Sequence, residues 1–94
     1  MILYQGMRLY KFTAVLTPTK EGSEMYYQVR VPALSEVVTF GSSVEEAIFM
    51  AQDALELVVL SRLEEGEEIP EDKKPAKLSK GVIAKKFWYQ LPTM

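Results

Sequence analysis

Two stretches in which every second residue is hydrophobic, separated by a polar cluster holding Pro18 and Gly22, precede one long stretch of helical period. Few folds accept that order. In residues 9–16, LYKFTAVL, the side chains of Tyr10, Phe12, Ala14 and Leu16 fall on one side and those of Lys11, Thr13 and Val15 on the other, which is the pattern of a strand with one buried face. Residues 25–32, MYYQVRVP, alternate in the same way, with Met25, Tyr27, Val29 and Val31 set against Tyr26, Gln28 and Arg30. The cluster TPTKEGSE at 17–24 is expected to connect the two as a hairpin loop. Pro32 closes the second strand, because proline has no amide hydrogen to give to a ladder. A short third strand is expected over VVTF at 37–40.

The period then changes. Over 44–63 the sequence projects as a helix about 30 Å long, with Val44, Ala47, Ile48, Ala51, Ala54, Leu55 and Val58 in one sector for the sheet and Glu45, Gln52 and Glu56 beside it. Phe49, Met50, Leu57 and Leu60, interrupted by Glu46 and Asp53, form a second apolar stripe. Either the rest of the chain covers that stripe or it is a surface for a partner, where apolar anchors beside acids would suit a basic protein.

Beyond the helix lies a connector, 64–81, in which six of the nine residues 64–72 are acidic and from which six lysines follow over 73–86. Gly66 is placed to stop the helix, and Pro70 and Pro75 keep the segment extended. A last strand is expected over 82–91, with Ile83, Phe87 and Tyr89 opposite Trp88. It either joins its own sheet or adds to another subunit, so these four residues are candidates for an oligomer contact. The fold class is therefore α+β, in the order β-β-β-α-β: an antiparallel three-stranded meander, a long helix packed on it and a C-terminal strand, all in one domain over 1–94.

The 94 residues include no histidine and no cysteine, which removes the commonest proton-transfer group, Ser-His and Cys-His nucleophile systems, disulfides and thiolate metal sites. Cysteine absence fits a reducing compartment, and the expected location is the cytoplasm. The start of the chain lacks the basic-then-apolar order of a leader, and LVVL at 57–60 is far too short to span a bilayer. Glu45 and Glu46 read as helix punctuation: Ser43 and Glu46 have capping-box spacing, and both acids suit the positive end of the helix dipole. Adjacent helical carboxylates diverge by about 100° and cannot form a catalytic pair.

Glu46, Asp53 and Glu64 lie along one helix face but make a poor metal site without histidine. The first strand offers Arg8 and Lys11 and no acid, against a carboxylate-and-Mg²⁺ hydrolase. No phosphate loop or dinucleotide fingerprint occurs. No enzymatic activity, cofactor or metal is expected. A formal charge of -2 argues against a broad nucleic-acid surface. The lysines near Trp88 could flank stacked bases, but a solvated strand is the simpler reading, and nucleic acid is not expected as a direct partner.

Four stretches, YQVRVPAL at 27–34, TFGSSVEEA at 39–47, AQDALEL at 51–57 and GEEIPED at 66–72, resemble HicB-type antitoxins, in that family's order and over about half the chain. The joint pattern of a strand ending in Val-Pro, then Thr-x-Gly-x-Ser-x-Glu-Glu-Ala, then Gly-x-x-Ile-Pro carries the resemblance. It implies a degenerate ribonuclease-H-like or ferredoxin-like half, self-association as a dimer or tetramer, and neutralisation of a small basic HicA-like mRNA-cleaving toxin by occlusion. Where the family commonly has Pro-Asp-Leu-Pro-Gly, this chain has PALSEV at 32–37. About thirty residues follow the helix, too few for the DNA-binding region many members carry, so a single-domain member is expected. Glu46, Phe49, Met50, Asp53, Leu57 and Leu60, with the acidic connector, are the expected partner contacts. The alternative is a stand-alone homo-oligomer with no toxin.

Overall fold

In the computed structural model the backbone of residues 7–92 and the side chains of residues 9–89 are described; residues 1–6, where a leader was not expected, lie outside them. The order is β1 (Met7–Glu21), β2 (Glu24–Val31), β3 (Leu34–Gly41), α1 (Val44–Glu64) and β4 (Ile83–Pro92). The sheet order is β3-β2-β1-β4, with antiparallel neighbours throughout. The α+β class, the meander and the packed helix are as the sequence patterns require.

Two boundaries differ from expectation, and one open alternative is settled. The polar cluster at 17–24 is mostly strand: β1 and β2 continue in register to the Glu21–Glu24 pair, leaving only Gly22 and Ser23 as the turn. Gly22 has φ +64° and Ser23 is not in that region, the sign pattern of a type II′ hairpin with glycine first. Strand β3 begins at Leu34 rather than Val37, because a register shift opposite Arg30 and Val31 lets the chain bulge through Ser35 and Glu36. The bulge puts both Leu34 and Val37, three positions apart, into the core. Finally, β4 lies in its own sheet, paired with β1 from Leu16–Ile83 to Met7–Pro92.

The core sits between α1 and the sheet. Phe12, Ala14 and Leu16 of β1, Val29 and Val31 of β2, Leu34 and Val37 of β3, Phe87 of β4 and Ala47, Ala51, Leu55 and Val59 of α1 are buried. Each large member contributes about 1.5–3 kcal/mol on leaving water. The expected sheet-facing residues Val44, Ile48, Ala54 and Val58 border this cluster, and Val59 joins it.

Both helix ends are closed by their own sequence. The Ser43 Oγ accepts from the Glu46 amide at 3.0 Å. The Glu46 carboxylate closes on Ser42 instead of the Ser43 amide, accepting from its amide (2.6 Å) and its hydroxyl (2.7 Å). At the other end Gly66 has φ +72°, its amide donates to the Leu63 carbonyl, and the Glu67 amide donates to the Arg62 carbonyl. That is a Schellman closure, which glycine's lack of Cβ permits.

The connector is pinned at two places. Arg62 forms a two-point ion pair with Glu36 of the bulge, both contacts at 2.9 Å, and also donates to the Glu68 carbonyl. Its guanidinium holds the Glu36 carboxyl below the usual carboxylate range. Farther on, the Asp72 carboxylate accepts from the Thr13 amide at 2.8 Å and the Thr13 hydroxyl at 2.7 Å. Thr13 lies beyond the last β1–β2 pair, Val15–Arg30, so Asp72 replaces the missing strand at that edge. Thr13 is buried. Asp72→Ala therefore strands two donors out of water and is expected to cost about 2 kcal/mol, read as a lower urea midpoint with unchanged slope.

Candidate partner-binding surface

At about 100° per residue, Glu46, Phe49, Asp53, Glu56, Leu57, Leu60 and Glu64 occupy one sector of α1, diametrically opposite the buried Ala47, Ala51, Leu55 and Val59. Phe49 is 66% exposed and Leu57 63% exposed, and Leu60 is also exposed. The C-terminal strand does not cover them, because β4 pairs with β1. No part of the core needs these side chains, so the second stripe is a surface feature. Met50, at the margin of the sector, is half-buried.

The charges of this face are of one sign. Glu45, Glu46, Asp53, Glu56 and Glu64 are exposed, and the helix's one basic residue, Arg62, is bound to Glu36. Phe49, Gln52, Asp53 and Glu56 line a shallow depression there. Glu46 belongs to the sector by angle, yet its carboxylate is held by Ser42, which lowers its pKa from the usual value. Ile69 packs against the core and Pro70 is half-buried, while Glu67, Glu68 and Glu71 of the connector stay in solvent.

Tyr89 ties β4 to the helix: its hydroxyl donates to the Gln52 carbonyl at 3.1 Å. Burial, reinforced by the negative charge of Glu56, pushes its phenol up to about 12. A raised folded-state pKa means that the folded protein keeps its proton longer. The stabilisation is complete below the unfolded value near 10 and is lost as pH rises from there to about 12. Alkaline titration of tyrosinate absorbance is expected to show one tyrosine ionising near that upper value, and Tyr89→Phe to remove that step alone.

Of the candidate oligomer residues, Phe87 is buried in its own core and Ile83 and Tyr89 pack against it. Trp88 points to the opposite face of the sheet, 59% exposed. That face also presents Leu9, Val38 and Phe40, with Tyr26 edge-on to Phe40 at 6.0 Å between centroids. Its exposure follows from a four-stranded sheet with a helix on one side only. Among the described residues there is no group of three or more His, Cys, Asp or Glu side chains able to hold a metal, and no helix is long and apolar enough to cross a membrane.

Three features escaped the sequence reading: the Asp72–Thr13 anchor, the Glu36–Arg62 ion pair and the open sheet face. The first two join residues distant in the chain, and no local period marks such pairs. The alternation of Tyr26, Gln28 and Arg30 against the core face is the signal that would have found the third.

No protein-family profile matches the chain, and no solved structure matches it. Among curated proteins it is 34% identical over 62 residues to the UPF0150 protein Ta0767 of Thermoplasma acidophilum, an alignment covering 66% of this chain and 86% of that protein.

Proposed function

The chain belongs to the UPF0150 family, a HicB-like family, and from that premise we propose that it is an antitoxin-type protein that binds and neutralises a small basic HicA-like toxin by occlusion. The observation that carries the reading is the outer face of α1, where Phe49, Leu57 and Leu60 stand exposed among acids with no free base on the helix. Exposed aromatic and aliphatic anchors supply the dry centre of a contact, and the surrounding carboxylates speed encounter with a cationic protein. Those carboxylates would also compete with RNA phosphate for the toxin's basic surface. The chain acts here as a binder and performs no chemistry of its own.

Self-association as a dimer or tetramer belongs to the same proposal. Phe87 stands in the core, so removing β4 would unfold the subunit, and assembly is better read from the solution mass of the intact chain. The direct test of the function is co-expression with a short, basic, histidine-containing protein encoded in an adjoining reading frame. The expected result is co-purification in a fixed ratio that survives gel filtration. Separate elution of the two proteins would contradict it and favour a stand-alone oligomer.

A further inference from the structure

The sheet face turned away from α1 is cationic at its β1–β4 corner, while Glu21 and Glu24 stand at the hairpin end of the same face. The register sets Lys11 across from Trp88 and Thr13 across from Lys86, so an indole and two ammonium groups share one corner on neighbouring strands. Lys11 Nζ lies 5.6 Å from the Trp88 ring centroid, a cation–π contact that helps to orient the ring. Burial does not account for this tryptophan, since the chain's largest side chain is left 59% exposed.

Two acids, Glu71 and Asp72, stand in the depression beside Lys11, and the second is committed to the fold. Asp72 is bound through both oxygens to Thr13, at the edge of β1 that β2 leaves open, whereas Trp88 and Lys86 stand on the β4 side. Immediately after Asp72 come Lys73 and Lys74, both exposed, and the charged residues of β4 are Lys85 and Lys86. The net charge of -2 thus conceals a division, with acids on α1 and over 64–72 and lysines over 73–86.

We propose that this corner is a platform for single-stranded RNA. Trp88 stacks on one base, Lys11 and Lys86 neutralise the adjoining phosphates, and Lys73 and Lys74, next in the chain after Asp72, extend the basic run. A π surface within a cluster of cations is matched by a chain of bases and phosphates. A duplex hides its base faces, and unpaired strands available for stacking are chiefly RNA. The inference is independent of the toxin-binding reading, which uses the other side of the molecule.

Trp88 is the chain's one tryptophan, so its fluorescence reports this site alone. Titration with a roughly twelve-nucleotide oligouridylate at low salt is expected to quench that emission saturably. Three or four neutralised phosphates predict a slope of log K against log salt of about -2 to -3. With end-labelled RNA followed by anisotropy, Trp88→Ala should weaken binding by at least about tenfold, while Trp88→Phe keeps a stacking ring and retains most of it. The double change Lys11→Gln with Lys86→Gln should reduce the slope by about 1.4. Absence of quenching, equal binding of a blunt duplex, or unchanged RNA affinity in Trp88→Ala would each overturn the proposal. So would emission that changes with protein concentration but not with RNA, since a second copy would then cover the face.

Discussion

Gly41→Ala is expected to destabilise the chain by about 3 kcal/mol, and to lower its melting temperature by about 15 °C. Gly41 ends β3 where the first turn of α1 crosses it, and it is buried. A Cβ built there meets the Ala47 backbone nitrogen and lies 2.7 Å from Ala47 Cα and 2.8 Å from the Glu46 carbonyl carbon. Those atoms are main chain, anchored by the cap of the helix at Ser43, and cannot rotate aside as a flexible side chain would. Gly22→Ala is the informative comparison. It meets nothing within 4 Å and suffers only the left-handed backbone penalty of about 1–2 kcal/mol. If thermal unfolding ranks Gly22→Ala as the worse substitution, the close packing of helix on strand is wrong. The same contact gives a physical reason for glycine at the third position of the Thr-x-Gly-x-Ser stretch.

Replacing Phe49 and Leu57 together by glutamate is expected to weaken toxin binding by about a thousandfold, as the loss of two central apolar anchors does. Stability should change by no more than about 0.5 kcal/mol, because both side chains stand in solvent opposite the core. Reversing the charges with Asp53→Lys and Glu56→Lys should act differently. It should slow association and flatten its salt dependence, with a smaller effect on dissociation. Surface plasmon resonance separates the two. Association and dissociation rates unchanged from wild type in both variants would mean that the helix face is not the contact.

The periods of the sequence carry most of the fold. Alternation through Phe12, Ala14 and Leu16 and the helical spacing of Ala47, Ala51 and Leu55 name the residues that meet in the core. Alternation fails where geometry departs from it: the bulge at Ser35 and Glu36 shifts the register, so Val37 was legible as strand and Leu34 was not. Turn composition misled at 17–24, because Pro18 and Lys20 are tolerated in paired strand and the turn itself needs only Gly22 and Ser23. The second helical stripe was visible in the wheel, but its exposure depended on where β4 would go, and that is set by pairing with a strand about seventy residues earlier in the chain. Glu46 illustrates the limit at the surface. Its spacing from Ser43 announced a cap, whereas its engagement with Ser42 required coordinates.

The most direct test is the RNA-cleaving activity of a short basic protein encoded in an adjoining reading frame, the proposed toxin, measured while the purified chain is titrated in. The account predicts that cleavage falls to background at a fixed stoichiometry, that the Phe49→Glu, Leu57→Glu chain leaves it untouched, and that the chain alone cuts nothing. Cleavage that continues undiminished in excess wild-type chain would contradict it.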